Sequence, residues 1–123
     1  MTSSGTSRRA LTDVAQTVRT VAILADDLIW ASRLQAAVQK AGAAPVRHGG
    51  DAAVVDLNGR TYDGVRAVAD AVAAGTPTIA VGQHEDLELR KRALAAGARR
   101  VYSYNKMHSD GPRLVAALLE GTP

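Results

Sequence analysis

The 123-residue chain contains no cysteine and no phenylalanine. Without cysteine it has no disulfide framework, no thiolate zinc site and no cysteine nucleophile, a composition suited to a reducing, cytoplasmic setting. Trp30, Tyr62, Tyr102 and Tyr104 are its only aromatic side chains, too few rings for a base-stacking platform or an aromatic cage. Long apolar runs are also missing: Val21 to Ala25 is typical, far short of the roughly 20 residues that span a bilayer. Charge of one sign is scarce as well. The net charge is +3, and residues 1–20 hold Arg8, Arg9 and Arg19 against Asp13, which leaves the remainder almost balanced. Such a balance gives no phosphate-tracking surface, so neither nucleic acid nor membrane is expected as a partner. Arg8-Arg9 does not open an export signal, because Asp13, Gln16 and Arg19 interrupt the stretch that would have to be uncharged.

What is present is aliphatic. Apolar residues make up 46% of the chain, and 24 residues are alanine, so one core built in thin layers from Val, Leu and Ile is expected. Met1 to Ser7 is polar and reads as disordered. Leu11, Val14, Ala15 and Val18 fall at helical spacing, with Thr12 as an N-cap candidate, so residues 1–19 read as a partly disordered extension with a short helix. From Thr20 a strand-then-helix alternation sets in over residues 20–121. The strands are Val21 to Ala25, Ala52 to Leu57, Pro77 to Val81 and Arg100 to Ser103. The helices are Leu28 to Lys40, Gly64 to Ala74, Glu85 to Ala96 and Pro112 to Leu119, with Gly42, Gly75 and Gly97 closing the first three. Strands that are apolar throughout, alternating with helices, specify a parallel sheet covered on both faces: an α/β doubly wound, three-layer sandwich of the flavodoxin-like kind.

In such sheets function gathers at the carboxyl ends of the strands. Those ends carry Asp26, Asp27, Asp56, Gly82 and the run Tyr104 to Lys106. Three converging carboxylates suit Mg²⁺, and a carboxylate beside Mg²⁺ is a nucleophile toward phosphorus. Equally, Asp26-Asp27 caps the following helix and Asp56 is a solvated strand end. If the three converge without a cation, like-charge repulsion raises the pKa of at least one, and Asp56→Asn stabilises the fold.

The stretch Asp51-Ala-Ala-Val-Val-Asp56-Leu57, with Asp63-Gly64 seven residues after Asp56, and the strand Ile23-Leu24-Ala25-Asp26-Asp27 resemble the receiver domains of two-component response regulators (CheY-like). The resemblance covers about residues 20 to 120 and implies phosphorelay chemistry: Asp56 as phosphoacceptor, with Asp26, Asp27 and the carbonyl of Asn58 as Mg²⁺ ligands. It also exposes departures. Gly82 stands where the family has Thr or Ser, Tyr104 stands where it has Lys, and Arg60 replaces a loop proline. Glycine has no side chain and tyrosine is uncharged at neutral pH, so neither substitute repeats the original task. Lys106 and His84 are the remaining auxiliary candidates.

A further departure is geometric. Between Val46-Arg47, where a second strand belongs, and Asp51 lie only His48, Gly49 and Gly50. That link extends at most about 14 Å, whereas a full crossover returns about 17 Å along a strand and steps across two spacings of about 4.8 Å. The second strand and helix therefore cannot both exist in their usual form. Four core strands are expected, with Pro45 to Gly50 a loop or vestigial strand and the first strand an edge covered by residues 11–18 or by a second copy.

These features support a degenerate receiver-like module, a pseudo-receiver that is not an enzyme and acts by protein–protein interaction. Arg90, Arg92, Arg99 and Arg100 would form the face toward an acidic protein partner, either a histidine kinase or another signalling protein. Two alternatives remain open: a phosphorylatable single-domain response regulator using Asp56 and Mg²⁺, and a small metal-dependent phosphatase-like enzyme using Asp26, Asp27, Asp56 and His84.

Overall fold

A computed structural model describes residues 18–121. Residues 1–17, where the polar lead and most of the N-terminal helix were expected, lie outside them. Five strands, β1 (Thr20–Leu24), β2 (Ala44–Val46), β3 (Ala52–Asp56), β4 (Thr78–Gly82) and β5 (Val101–Ser103), alternate with four helices, α1 (Leu28–Lys40), α2 (Gly64–Ala73), α3 (Leu87–Ala95) and α4 (Tyr104–Glu120). All strand pairs are parallel, in the order β2-β1-β3-β4-β5, the flavodoxin-like winding. β3 and β4 are buried at every residue, as their largely apolar sequences require.

Side-chain alternation along the strands divides the core in two. Val21, Val54, Ile79 and Val81 pack with Leu34 and Val38 of α1 and Leu114, Val115 and Leu118 of α4. Val55, Ala80 and Val101 point the other way, onto Val68 of α2 and Ala93 of α3. Each helix starts on a side-chain cap. Asp27, Asp63, Asp86 and Ser103 accept from the backbone N–H of Trp30, Arg66, Leu89 and Lys106, satisfying donors that would otherwise be orphaned. Among the described residues no helix is long and apolar enough to cross a membrane.

Two expectations are corrected. α4 begins at Tyr104 and runs through Pro112, whereas its start was read at the proline. Pro112 forfeits one helical hydrogen bond, but the Ser103 cap and the continuous burial of Met107, Gly111, Leu114, Val115 and Leu118 hold the helix together. The sheet also has five strands, and β1 is not an edge along its first half. β2 is three residues long and pairs Thr20, Val21 and Ala22 with Ala44, Pro45 and Val46.

The short link permits this strand because β2 stops early. Val46 is level with Ala22, and Ala52 is level with Val21. The return along the strand is therefore about one residue, roughly 3.3 Å, and most of the link's reach goes into crossing β1. What the link cannot include is a helix, and no helix lies between β2 and β3. Gly50 makes the crossing directly against the β1 backbone. A Cβ at this position would fall 2.6 Å from the Ala22 nitrogen and 2.8 Å from the Ala52 carbonyl oxygen. Asp51 then fastens the link: its amide donates to the Thr20 carbonyl, and its carboxylate accepts from the Thr20 amide, each at 2.8 Å.

Gly50→Ala is therefore expected to destabilise the fold by about 3 kcal/mol, since the added methyl meets backbone on both sides and neither neighbour can swing away. Urea denaturation followed by far-UV circular dichroism measures this, and an unchanged midpoint would show that the link does not rest on β1.

Candidate functional site

The carboxyl ends of β1, β3 and β4 and the starts of α1 and α4 enclose a cleft of about 780 Å³ that includes Asp26, Asp27, Trp30, Asp56, Thr61 and Tyr104. At its floor is Asp56, only 3% exposed. A buried carboxylate must be hydrogen-bonded to remain charged at tolerable cost. Asp56 Oδ1 accepts from the Asn58 amide at 3.1 Å and from the Tyr104 hydroxyl at 2.5 Å. The same hydroxyl lies 3.1 Å from Asn58 Oδ1.

Tyr104 reaches this point because β5 passes into α4 with no intervening loop, which sets its ring over the end of β3. The indole of Trp30 packs against that ring with centroids 4.6 Å apart, and the Arg33 guanidinium lies 5.2 Å above the indole, a cation–π contact that backs the pair. Desolvation, reinforced by the Asp56 bond and charge, raises the Tyr104 pKa well above 10. Tyr62 is held similarly. Its hydroxyl donates to the Asp56 carbonyl at 2.6 Å and lies 3.1 Å from the Leu24 carbonyl. Burial, with the nearby charges of Asp56 and Asp26, raises its pKa too. Gly59 makes room for that ring: a Cβ there would lie 2.1 Å from Tyr62 Cζ.

The acidic pair is engaged elsewhere. Asp26 Oδ2 accepts from the Arg60 amide, the Thr61 amide and the Thr61 hydroxyl, each at 2.8 Å. These bonds, led by the Thr61 amide, lower its pKa, although like-charge crowding was expected to raise one of the three carboxylates. Asp27 caps α1 through the Trp30 amide at 2.9 Å. No group of three or more His, Cys, Asp or Glu among the described residues is arranged to hold a metal. Asp26 is tied to the 60–61 loop through Oδ2, Asp27 to the helix through Oδ1 and Asp56 to Tyr104 through Oδ1, so the three do not form a ready-made Mg²⁺ site.

The other candidates lie away from the cleft. Lys106 Nζ pairs with Asp110 at 2.7 Å along α4. His84 is exposed and pairs with Glu85 at 3.1 Å, so it meets neither Asp26 nor Asp56. Gly82 ends β4 beside the site, and a Cβ there would make only ordinary contacts, the nearest at 3.4 Å to Leu57. Arg90, Arg92, Arg99 and Arg100 are all exposed, on α3 and the turn before β5. Trp30 belongs to two settings: it packs on the core and lines the cleft. Its place three residues after Asp27, on the first turn of α1, was the available signal. Thr61 and Gln83 left none.

No protein-family model matches the sequence, and no curated protein matches it. Solved structures do match the fold. A receiver domain protein from Methanospirillum hungatei aligns with TM-score 0.73 at 16% identity, over 85% of this chain and 96% of that one. A Francisella response regulator receiver domain gives 0.70 at 16%, over 85% and 99%. A response regulator receiver protein from Burkholderia phymatum gives 0.69 at 21%, over 85% and 97%. The chain thus has the receiver-domain fold.

In a spectrophotometric titration of the native protein, two of the three tyrosines should ionise well above the ordinary value of 10. Folding holds these phenols protonated, so their share of stability is complete below about pH 10 and declines as pH rises beyond it. Tyr104→Phe should remove one late-titrating group and cost about 2 kcal/mol, the scale of a hydrogen bond to a charged acceptor. If all three tyrosines of the folded protein ionised together near pH 10, the hydroxyls would not be held as described.

Proposed function

We propose that this receiver-like domain is a pseudo-receiver: a non-enzymatic signalling or scaffold module of the cytoplasm that works through protein contacts and not through phosphoryl transfer. One observation carries the reading, the Tyr104 hydroxyl on Asp56 Oδ1. An incoming phosphoryl group would arrive beside that hydroxyl and would meet no free ammonium group, because Lys106 is paired with Asp110. It would meet no hydroxyl at Gly82 either.

The partner face we favour is α3 with the turn before β5. Leu87 and Leu94 are 64% and 41% exposed, and their spacing of seven puts them on one side of the helix with Arg90 between. Arg92, Arg99 and Arg100 add positive charge, so an acidic protein surface with an apolar centre is the complement. A histidine kinase or another signalling protein is the class of partner this suggests.

The phosphorylatable alternative draws on the position of Asp56 at the end of β3 and on the space beside Gly82. Incubation with a small acyl phosphate donor and Mg²⁺, read by intact mass, separates the two. The expected result is little or no addition of a phosphoryl mass. Near-complete addition that Asp56→Asn abolishes would overturn the pseudo-receiver and establish the phosphoacceptor.

A further inference from the structure

The early end of β2 leaves a notch in the sheet edge. β2 pairs with β1 only as far as Ala22, while Ile23 and Leu24 pair with Val54 and Val55 on their other side alone. Beyond Val46 the chain turns toward its crossing at Gly50, so the upper half of β1 borders a space of about 650 Å³. α1 walls it with Leu28 and Gln35, and the end of β2 walls it with Val46, Arg47 and His48.

Three properties of this space agree. The first is backbone polarity. The Thr20 carbonyl faces β3, where it accepts from the Asp51 amide, and the Arg19 carbonyl faces β2, where it accepts from the Ala44 amide. Backbone groups alternate sides along a strand, so Ile23 and Ala25 face this side; the register of Ala22 with Val46 gives the Ile23 amide to the Val46 carbonyl, which leaves the Ile23 carbonyl and the Ala25 amide directed into the notch. The second is the apolar rim: Leu28 is 86% exposed, more than any other large hydrophobic side chain among the described residues. The third is charge. Arg47 and His48 border the notch, no carboxylate lines it, and among the described residues Arg47 has no ion-pair partner.

We infer that the notch is a strand-docking site for an extended, apolar segment of a partner protein that carries a carboxylate near one end. The segment would continue the line of β2, donate to the Ile23 carbonyl, accept from the Ala25 amide, cover Leu28 and set its carboxylate against Arg47. The inference rests on the reading of the domain as a protein-binding module, but it concerns the sheet edge opposite α3 and can fail alone.

The probes are two pools of extended peptides of alternating Val, Ile or Thr and polar residues, with Glu at either end in one pool and Lys in its place in the other. Each is titrated into the full ¹⁵N-labelled chain. The Glu pool should shift the amides of Ile23, Ala25, Arg47 and His48 and leave those of α3 unmoved. Leu28→Asp and Arg47→Glu, both at exposed positions, should weaken this binding about tenfold, and Arg47→Glu should transfer the preference to the Lys pool. Absence of shifts at the notch with either pool would overturn the site. So would equal binding of both pools by the unsubstituted protein, or notch shifts that appear without peptide as protein concentration rises, which would assign the edge to a second copy. Shifts of α3 amides by a captured partner, with a silent notch, would remove the notch and leave the module reading intact.

Discussion

A carboxylate buried at the end of a central strand must be hydrogen-bonded, and the upper end of this molecule is organised around that need at Asp56. In the receiver-like setting such a group is expected to face cations. Here it faces a phenol that stays protonated, and the neighbouring residues follow from that choice. Tyr104 must begin a helix directly after β5 to reach the carboxylate. Trp30 then packs on the ring with Arg33 over the indole, and Asp26 and Asp27 serve a loop and a helix start.

A second constraint acts at the other edge of the sheet. Five residues between β2 and β3 can cross a strand but cannot build a helix, so the layer that would have covered the outer half of β1 is reduced to a chain lying on its backbone. The fold accommodates this by shortening β2, and the Thr20–Asp51 clasp fixes the result. The two departures are independent in space, one altering the chemistry of the cleft and the other the outline of the sheet.

The layered α/β fold was legible because its signals are local and redundant: apolar runs for buried strands, helical spacing between them, and aspartate caps and glycine stops where each element changes. α1 appeared over its full observed length from such signals. The start of α4 did not, because Pro112 is a strong local breaker and its compensation, the Ser103 cap with a buried face, is tertiary. The persistence of β2 was also hidden, since the reach calculation assumed a strand of ordinary length. At the site, the positions of Asp56, Gly82 and Tyr104 followed from spacing. What Tyr104 does there depends on the direction in which the first turn of α4 leaves the sheet, which no local pattern encodes. The partners of Asp26 were equally illegible, because they are backbone amides 34 and 35 residues away.

The tilted contact between Trp30 and Tyr104 has an optical consequence. Trp30 is the only indole in the chain, so the entire tryptophan emission of the molecule originates within van der Waals reach of the ring that holds Asp56. Its wavelength and lifetime report on that one contact with no background from elsewhere in the fold. The indole therefore stands beside the phenol that holds the carboxylate, and the protein carries its own label at that contact.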